Sequence, residues 1–360
     1  MGRAGLPSVL ALTLCLRSAA PCLAGPQALS APPSPSGSAS APAEVPVLSP
    51  FAAAALAAGR ARAALGDAAG AQALWSAALS RGEDPGLLDA LGALQLRRGE
   101  LTAALATFER LARRSPSLAP AWYRLGLARA ALGRYRAAAD AQRLAVGQAP
   151  GFGPAYCALA LDLRECGQTQ PGLRAASAAV RLVPAYAGAW NLQAGLLQDD
   201  GQLRDAEAGY RRALTLAPRY ASAWFNLGQL LEQRGLRREA LADYGRALAV
   251  NPGFGEARMA RAGLEADLGL EPQARGDLQA CAAAPAWAPA ALWSLRRLDA
   301  ARGRSAAASE DLKRYYAAVA RRAALAASDA ARGRQVALPY EPGLPLGPDP
   351  EGKDLEAIHD

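Results

Sequence analysis

The side chains that do chemistry in proteins are scarce in this chain of 360 residues. Its one histidine is His359, so the body of the sequence holds no imidazole to activate a nucleophile or to join cysteines around a metal. Beyond the N-terminal region the cysteines are Cys157, Cys166 and Cys281. The first two stand nine residues apart on one expected helix, ~13 Å by the helical rise and beyond disulfide reach. The third lies several turns of sequence pattern away, so the reading is of small packed thiols. The carboxylate pairs Asp199-Asp200 and Glu310-Asp311 fall at helix ends or on exposed faces, where dipole and solvation roles suffice. Gly-Phe-Gly occurs at 151–153 and again at 253–255, with no Gly-Lys-Ser/Thr following that would make a phosphate cradle. No catalytic residue, metal ligand or cofactor is expected.

What the sequence does carry is a period. Pro116, Pro150, Pro184, Pro218 and Pro252 recur every 34 residues, and a period of this size signals a stacked-repeat architecture. In the copy from Ala221 to Phe254, numbered 1 to 34, Trp224 is fourth, Leu227 seventh, Gly228 eighth and Leu231 eleventh. Gly235 is fifteenth, Ala240 twentieth, Tyr244 twenty-fourth, Ala247 twenty-seventh and Pro252 thirty-second. Positions 4, 7, 8 and 11 share one face of a first helix, A, and positions 20, 24 and 27 one face of a second, B. Glycine at 15 suits the left-handed end of helix A, and proline at 32 cannot continue helix B. Small residues at 8 and 20 let A and B approach, with aromatics at 4 and 24 filling the space beside them. Departures occur: Gln193 at position 7, Gly172 at 20 and Gln142 at 24.

This pattern resembles the tetratricopeptide repeat (TPR) family. The resemblance implies an all-α fold, a right-handed α-solenoid of about eight stacked helix hairpins closed by a C-terminal capping helix. Five copies match well, at 85–118, 119–152, 153–186, 187–220 and 221–254; degenerate ones run over 52–84, 255–288 and 289–322. Glu310 to Arg332 reads as one long helix. The array is expected to span 51–332.

In such arrays positions 2, 5, 6, 9, 12 and 13 of helix A line a concave groove. The resemblance therefore places Tyr123, Arg124, Asn191, Phe225, Asn226 and Gln229 in a groove for a partner protein or extended peptide. The family's clamp for C-terminal carboxylates uses groove lysines, which are absent here, and an asparagine ladder would need more than Asn226 at position 6. Binding to chaperone C-termini is not expected.

Arginine supplies nearly all the basic charge, Lys313 and Lys353 being the only lysines. The chain carries +8 overall and its array about +12, a field that favours acidic partners. The arginines are scattered and no nucleic-acid module is present, so no nucleic acid is expected, nor a small-molecule substrate. Arg3, the apolar run Val9–Leu16 and Cys22-Leu23-Ala24 read as a secretory signal over 1–24. The run is far short of the ~20 residues of a spanning helix. Residues 25–50 form a Pro/Ser/Ala-rich disordered linker, and 333–360 a disordered acidic tail. The reading is an exported, non-catalytic scaffold of the periplasm, cell envelope or secreted space. An uncleaved N-terminus would favour the alternative, a cytoplasmic co-chaperone or regulatory interaction protein. Export predicts that protein recovered from its native host has an intact mass starting at or near Gly25; a start at Met1 or Gly2 overturns it.

Overall fold

The computed structural model describes residues 49–331. The expected signal, most of the linker and the acidic tail lie outside these residues. The described residues form helices and no strand. In order they are α1 (Pro50–Ala64), α2 (Ala68–Leu79), α3 (Pro85–Arg97), α4 (Leu101–Arg114), α5 (Ala119–Ala131), α6 (Tyr135–Gln148), α7 (Gly153–Glu165) and α8 (Thr169–Leu182). There follow α9 (Ala187–Asp199), α10 (Leu203–Leu216), α11 (Ala221–Gln233), α12 (Arg237–Val250), α13 (Gly255–Asp267), α14 (Glu271–Ala282), α15 (Ala288–Ala300) and α16 (Ser305–Ala331). Odd-numbered helices are the A helices of eight hairpins and even-numbered ones the B helices. The fold is an all-α solenoid of helix hairpins. It divides into two compact units, with the boundary inside α10 between Gly209 and Tyr210.

The ends of the helices follow from their residues. Ser49 caps α1, its Oγ accepting from the Ala52 N–H at 3.1 Å, and Pro50 takes the first helical position. These two residues, expected in the linker, belong to the helix because serine at the cap and proline at N1 are both favoured there. Between A and B, Gly235 has φ of +78°, the left-handed conformation that only glycine adopts without strain, and its equivalents from Gly66 to Gly303 do the same.

Where position 8 is glycine, the decisive contact inside the hairpin joins it to position 24. A Cβ added at Gly228 would lie 2.7 Å from the Tyr244 ring, and one at Gly92 2.6 Å from the Phe108 ring, so the ring occupies the space of the missing side chain. At Gly228 the backbone of Ala240 is the next neighbour, at 3.4 Å. The expected pairing of positions 8 and 20 is thus secondary to the pairing of 8 and 24. Tyr244 and Phe108 are fully buried.

Position 4 does something different from gap filling. Trp122, Trp190 and Trp224 are half-buried. Each donates its indole N–H to the carbonyl of the proline six residues earlier, Pro116, Pro184 and Pro218, at 2.7, 2.8 and 2.9 Å. The proline that terminates one hairpin is thereby tied to the first turn of the next. In α13 the fourth residue is Arg258, and its guanidinium donates to the Pro252 carbonyl in the same way.

The second unit ends on a dense ionic cluster. Asp299 of α15, 1% exposed, accepts from Arg275 of α14 and Arg304 ahead of α16, and Glu271 accepts from both of those arginines. These bonds hold the Asp299 carboxyl below the usual carboxylate range. The long terminal helix begins at Ser305, earlier than expected. The eighth B helix and the cap are therefore one element, with Leu312 and Tyr315 buried against α15.

Gly228→Leu should overpack the contact with Tyr244 and lower stability by roughly 1–3 kcal/mol, read from urea unfolding followed by circular dichroism. A midpoint equal to that of the parent would overturn the pairing of positions 8 and 24.

Candidate functional site

The A helices of the first unit present a half-buried face built from α3, α5, α7 and α9. Tyr123 and Arg124 lie side by side on α5. The Tyr123 ring packs edge-on against Phe152, centroids 5.2 Å apart at 70°, and burial pushes its phenol up from the ordinary value. The Arg124 Nε donates to Asp89 Oδ1 of α3 at 2.9 Å. One A helix further along, Arg164 of α7 grips Asp199 of α9 through two nitrogens, at 2.5 and 3.2 Å. The guanidinium lies over Gly195, where an added Cβ would stand 3.0 Å from it. The same A helices carry Ala90, Ala93, Ala158 and Leu161, all half-buried. Two arginines of these helices are thus fixed by carboxylates on neighbouring A helices.

The remaining predicted residues behave differently. Asn191 is 7% exposed and Asn226 5%, so neither offers its amide to a ligand. Phe225 is 2% exposed. Its ring lies between Tyr244 of its own hairpin, at 5.8 Å, and Phe254 at the cap of the next A helix, at 5.1 Å. Its assignment to a binding groove is corrected: position 5 is covered because the following hairpin sets an aromatic on it. Tyr123 and Phe152 repeat this pairing. Both Gly-Phe-Gly segments thus have a packing role, their phenylalanines seating on the aromatic at position 5 of the preceding A helix. Gln229 is half-buried, one turn from Glu232. Glu232 accepts from the Tyr244 hydroxyl at 2.7 Å, and burial raises its carboxyl against that bond.

Two clefts lie elsewhere. One of about 770 Å³ is lined by Phe51, Arg81, Glu83, Arg114 and Leu118, and one of about 610 Å³ by Arg211, Trp224, Asp243 and Arg246. None of the six predicted residues lines either. Both are open crevices at hairpin joints; in the second, Arg246 is paired with Asp243 and lies over the Trp224 ring. Among the described residues no set of three His, Cys, Asp or Glu side chains could hold a metal ion. No described helix is long and apolar enough to cross a membrane.

Residues 56–119, 90–151 and 192–236 match the tetratricopeptide repeat family, and residues 221–254 match a second description of the same repeat. It is a tetratricopeptide-repeat protein. No curated protein matches the chain. Among solved structures it resembles a tetratricopeptide repeat protein from Parabacteroides merdae, at 16% identity and a TM-score of 0.55, over 63% of this chain and 90% of that one. It also resembles the Cut9–Hcn1 hetero-tetramer of the APC/C, at 18% identity and a TM-score of 0.52. There it covers 58% of this TPR chain and 42% of that chain, less than half of its length. These likenesses show the fold. TPR proteins as a class bind protein or peptide partners and are generally non-catalytic scaffolds.

Because its ring is interior, Phe225→Ala should cost about 3–5 kcal/mol of stability, measured by urea unfolding. A cost under about 1 kcal/mol, as for a surface change, would return the ring to the list of ligand contacts.

Proposed function

We propose that this TPR protein is a non-catalytic scaffold that holds a segment of a partner protein along the A-helix face of its first unit. The observation that carries the reading is the pair of arginines, Arg124 and Arg164, each held in place on A helices that also carry half-buried apolar residues. Small side chains at Ala90, Ala93 and Ala158 let a partner backbone come close, and Leu161 supplies contact area. Arg124 and Arg164 are already oriented by Asp89 and Asp199. Recruiting them costs little side-chain entropy, and the bond to Asp89 uses one of the five N–H groups that Arg124 carries. Arginine is a favoured hot-spot residue. The amides expected to help, Asn191 and Asn226, are interior and take no part.

The second part of the proposal is location. The signal-like residues 1–24 support an exported scaffold acting in the cell envelope, tethered through a Pro/Ser/Ala-rich segment. The cytoplasmic alternative rests on the same residues remaining uncleaved.

The test uses a photo-crosslinking amino acid in the full chain in its native host. A probe at Ala93 should capture a partner, and a probe at the exposed Arg174 of α8 should not. Arg124→Ala combined with Ala158→Glu should weaken that partner's binding at least about tenfold, ~1.4 kcal/mol. Neither change opens the core. The matched control is Arg113, Arg114 and Arg181 to alanine, exposed residues of the B helices. Equal losses from both sets would mean diffuse charge attraction, and loss from the control alone would refute the A-helix face.

A further inference from the structure

The tenth residue of the A helix is apolar and interior in five of the hairpins. Leu94, Ala128, Leu196, Leu230 and Leu264 hold it in α3, α5, α9, α11 and α13, none more than 4% exposed. In α7 the same position is Asp162, 2% exposed. The equivalent residue of α9, Leu196, lies against Gly172 of the hairpin before it. By that register Asp162 faces the α5–α6 hairpin, and α6 packs on α7. Its Oδ2 is buried without a hydrogen-bond partner.

A second departure from the repeat sits in that preceding hairpin. Position 24 of α6 is Gln142, fully buried where other copies place a ring. Its Nε2 donates to the Tyr123 carbonyl at 3.2 Å, and its Oε1 is buried without a partner. Two buried acceptors thus belong to consecutive hairpins. A buried carboxylate without a cation or donor is costly, and such a group keeps its proton instead. The protonated acid is a donor and carries no charge into the interior.

We propose that Asp162 is a proton-operated latch between the hairpins of residues 119–152 and 153–186, neutral while they are closed on each other and ionised as they part. Burial, and then the charge of Glu165, raise its carboxyl from 3.8 to about 8. The other charged groups on the packed elements are engaged or face outward. On α5, Arg124 is bonded to Asp89 and Arg129 to the Ala137 carbonyl. On α6, Arg136 and Arg143 stand near Cys166, whose thiol burial raises, and Arg143 is bonded to Asp140. On α8, Arg174 and Arg181 are exposed. On α9, Asp199 holds Arg164, and Asp200 accepts from Gln170 and Gln202.

The sign follows from linkage. Between about pH 4 and pH 8 the closed form keeps a proton that the open form has lost. Acid favours closure, and the opening equilibrium rises up to about tenfold per pH unit until the closed form ionises too. Helix α7 also carries Ala158 and Leu161, so the latch lies beneath the A-helix face.

Hydrogen exchange of the full chain tests this, comparing the parent with Asp162→Asn and Asp162→Leu from pH 5.5 to 8.5. Rates are corrected for the intrinsic pH dependence of amide exchange. Opening of residues 135–165 in the parent should rise across this range at least about tenfold more than in either variant. Residues 101–114 should behave alike in all three proteins. Parallel profiles for the parent and the variants overturn the latch, as does a rise shared equally by 101–114. Should neither variant fold, a flat corrected profile of residues 135–165 in the parent overturns it alone.

Discussion

The structure depends on how closely helix A and helix B of one hairpin can approach. Where position 8 is glycine, a large side chain at position 24 lies directly on the backbone: Trp75 on Gly59, Phe108 on Gly92, Gln142 on Gly126 and Tyr244 on Gly228. The α7–α8 hairpin departs from this, setting Ala160 and Ala176 at the two positions, both fully buried. The outer faces inherit their positions from this contact. Tyr123, whose carbonyl takes the Gln142 amide, and the neighbouring Arg124 stand where they do because α6 closes on α5.

The hairpins were legible because their rule concerns residue size and backbone freedom at fixed offsets, and both are properties of residue type. Glycine at 15 and 8 and proline at 32 fix the turns and the close approach. The outer face was legible only in part. Position 5 reads as surface when one hairpin is considered alone and becomes interior when the next is stacked on it. A signal was present, since Tyr123 and Phe225 each have an aromatic, Phe152 and Phe254, at the last position of their own repeat. The two ion pairs could not be read, because each joins residues of different repeats through side-chain geometry. Asp162 was visible as a departure at position 10. Its meaning needed the burial around it.

Charge is handled differently in the two units. In the first, Arg124 and Arg164 of the A helices are each held by a carboxylate of a neighbouring A helix. In the second, Arg275, Arg302 and Arg304 crowd around Asp299 and Glu271 at the end of the array. The cluster ties α14 of the seventh hairpin to α15 and to the residue ahead of α16 in the eighth.

The tie between position 4 and the preceding proline has a consequence for how such a chain changes over generations. One end of the tie is a side chain, tryptophan in three hairpins and arginine in a fourth; the other is a backbone carbonyl, which every residue possesses. A substitution at position 4 therefore needs no compensating change next door, provided the new side chain brings a donor of similar reach. At this one contact, neighbouring hairpins are free to change independently of each other. The joint is a standard fitting, and the variety is left to the faces it does not touch.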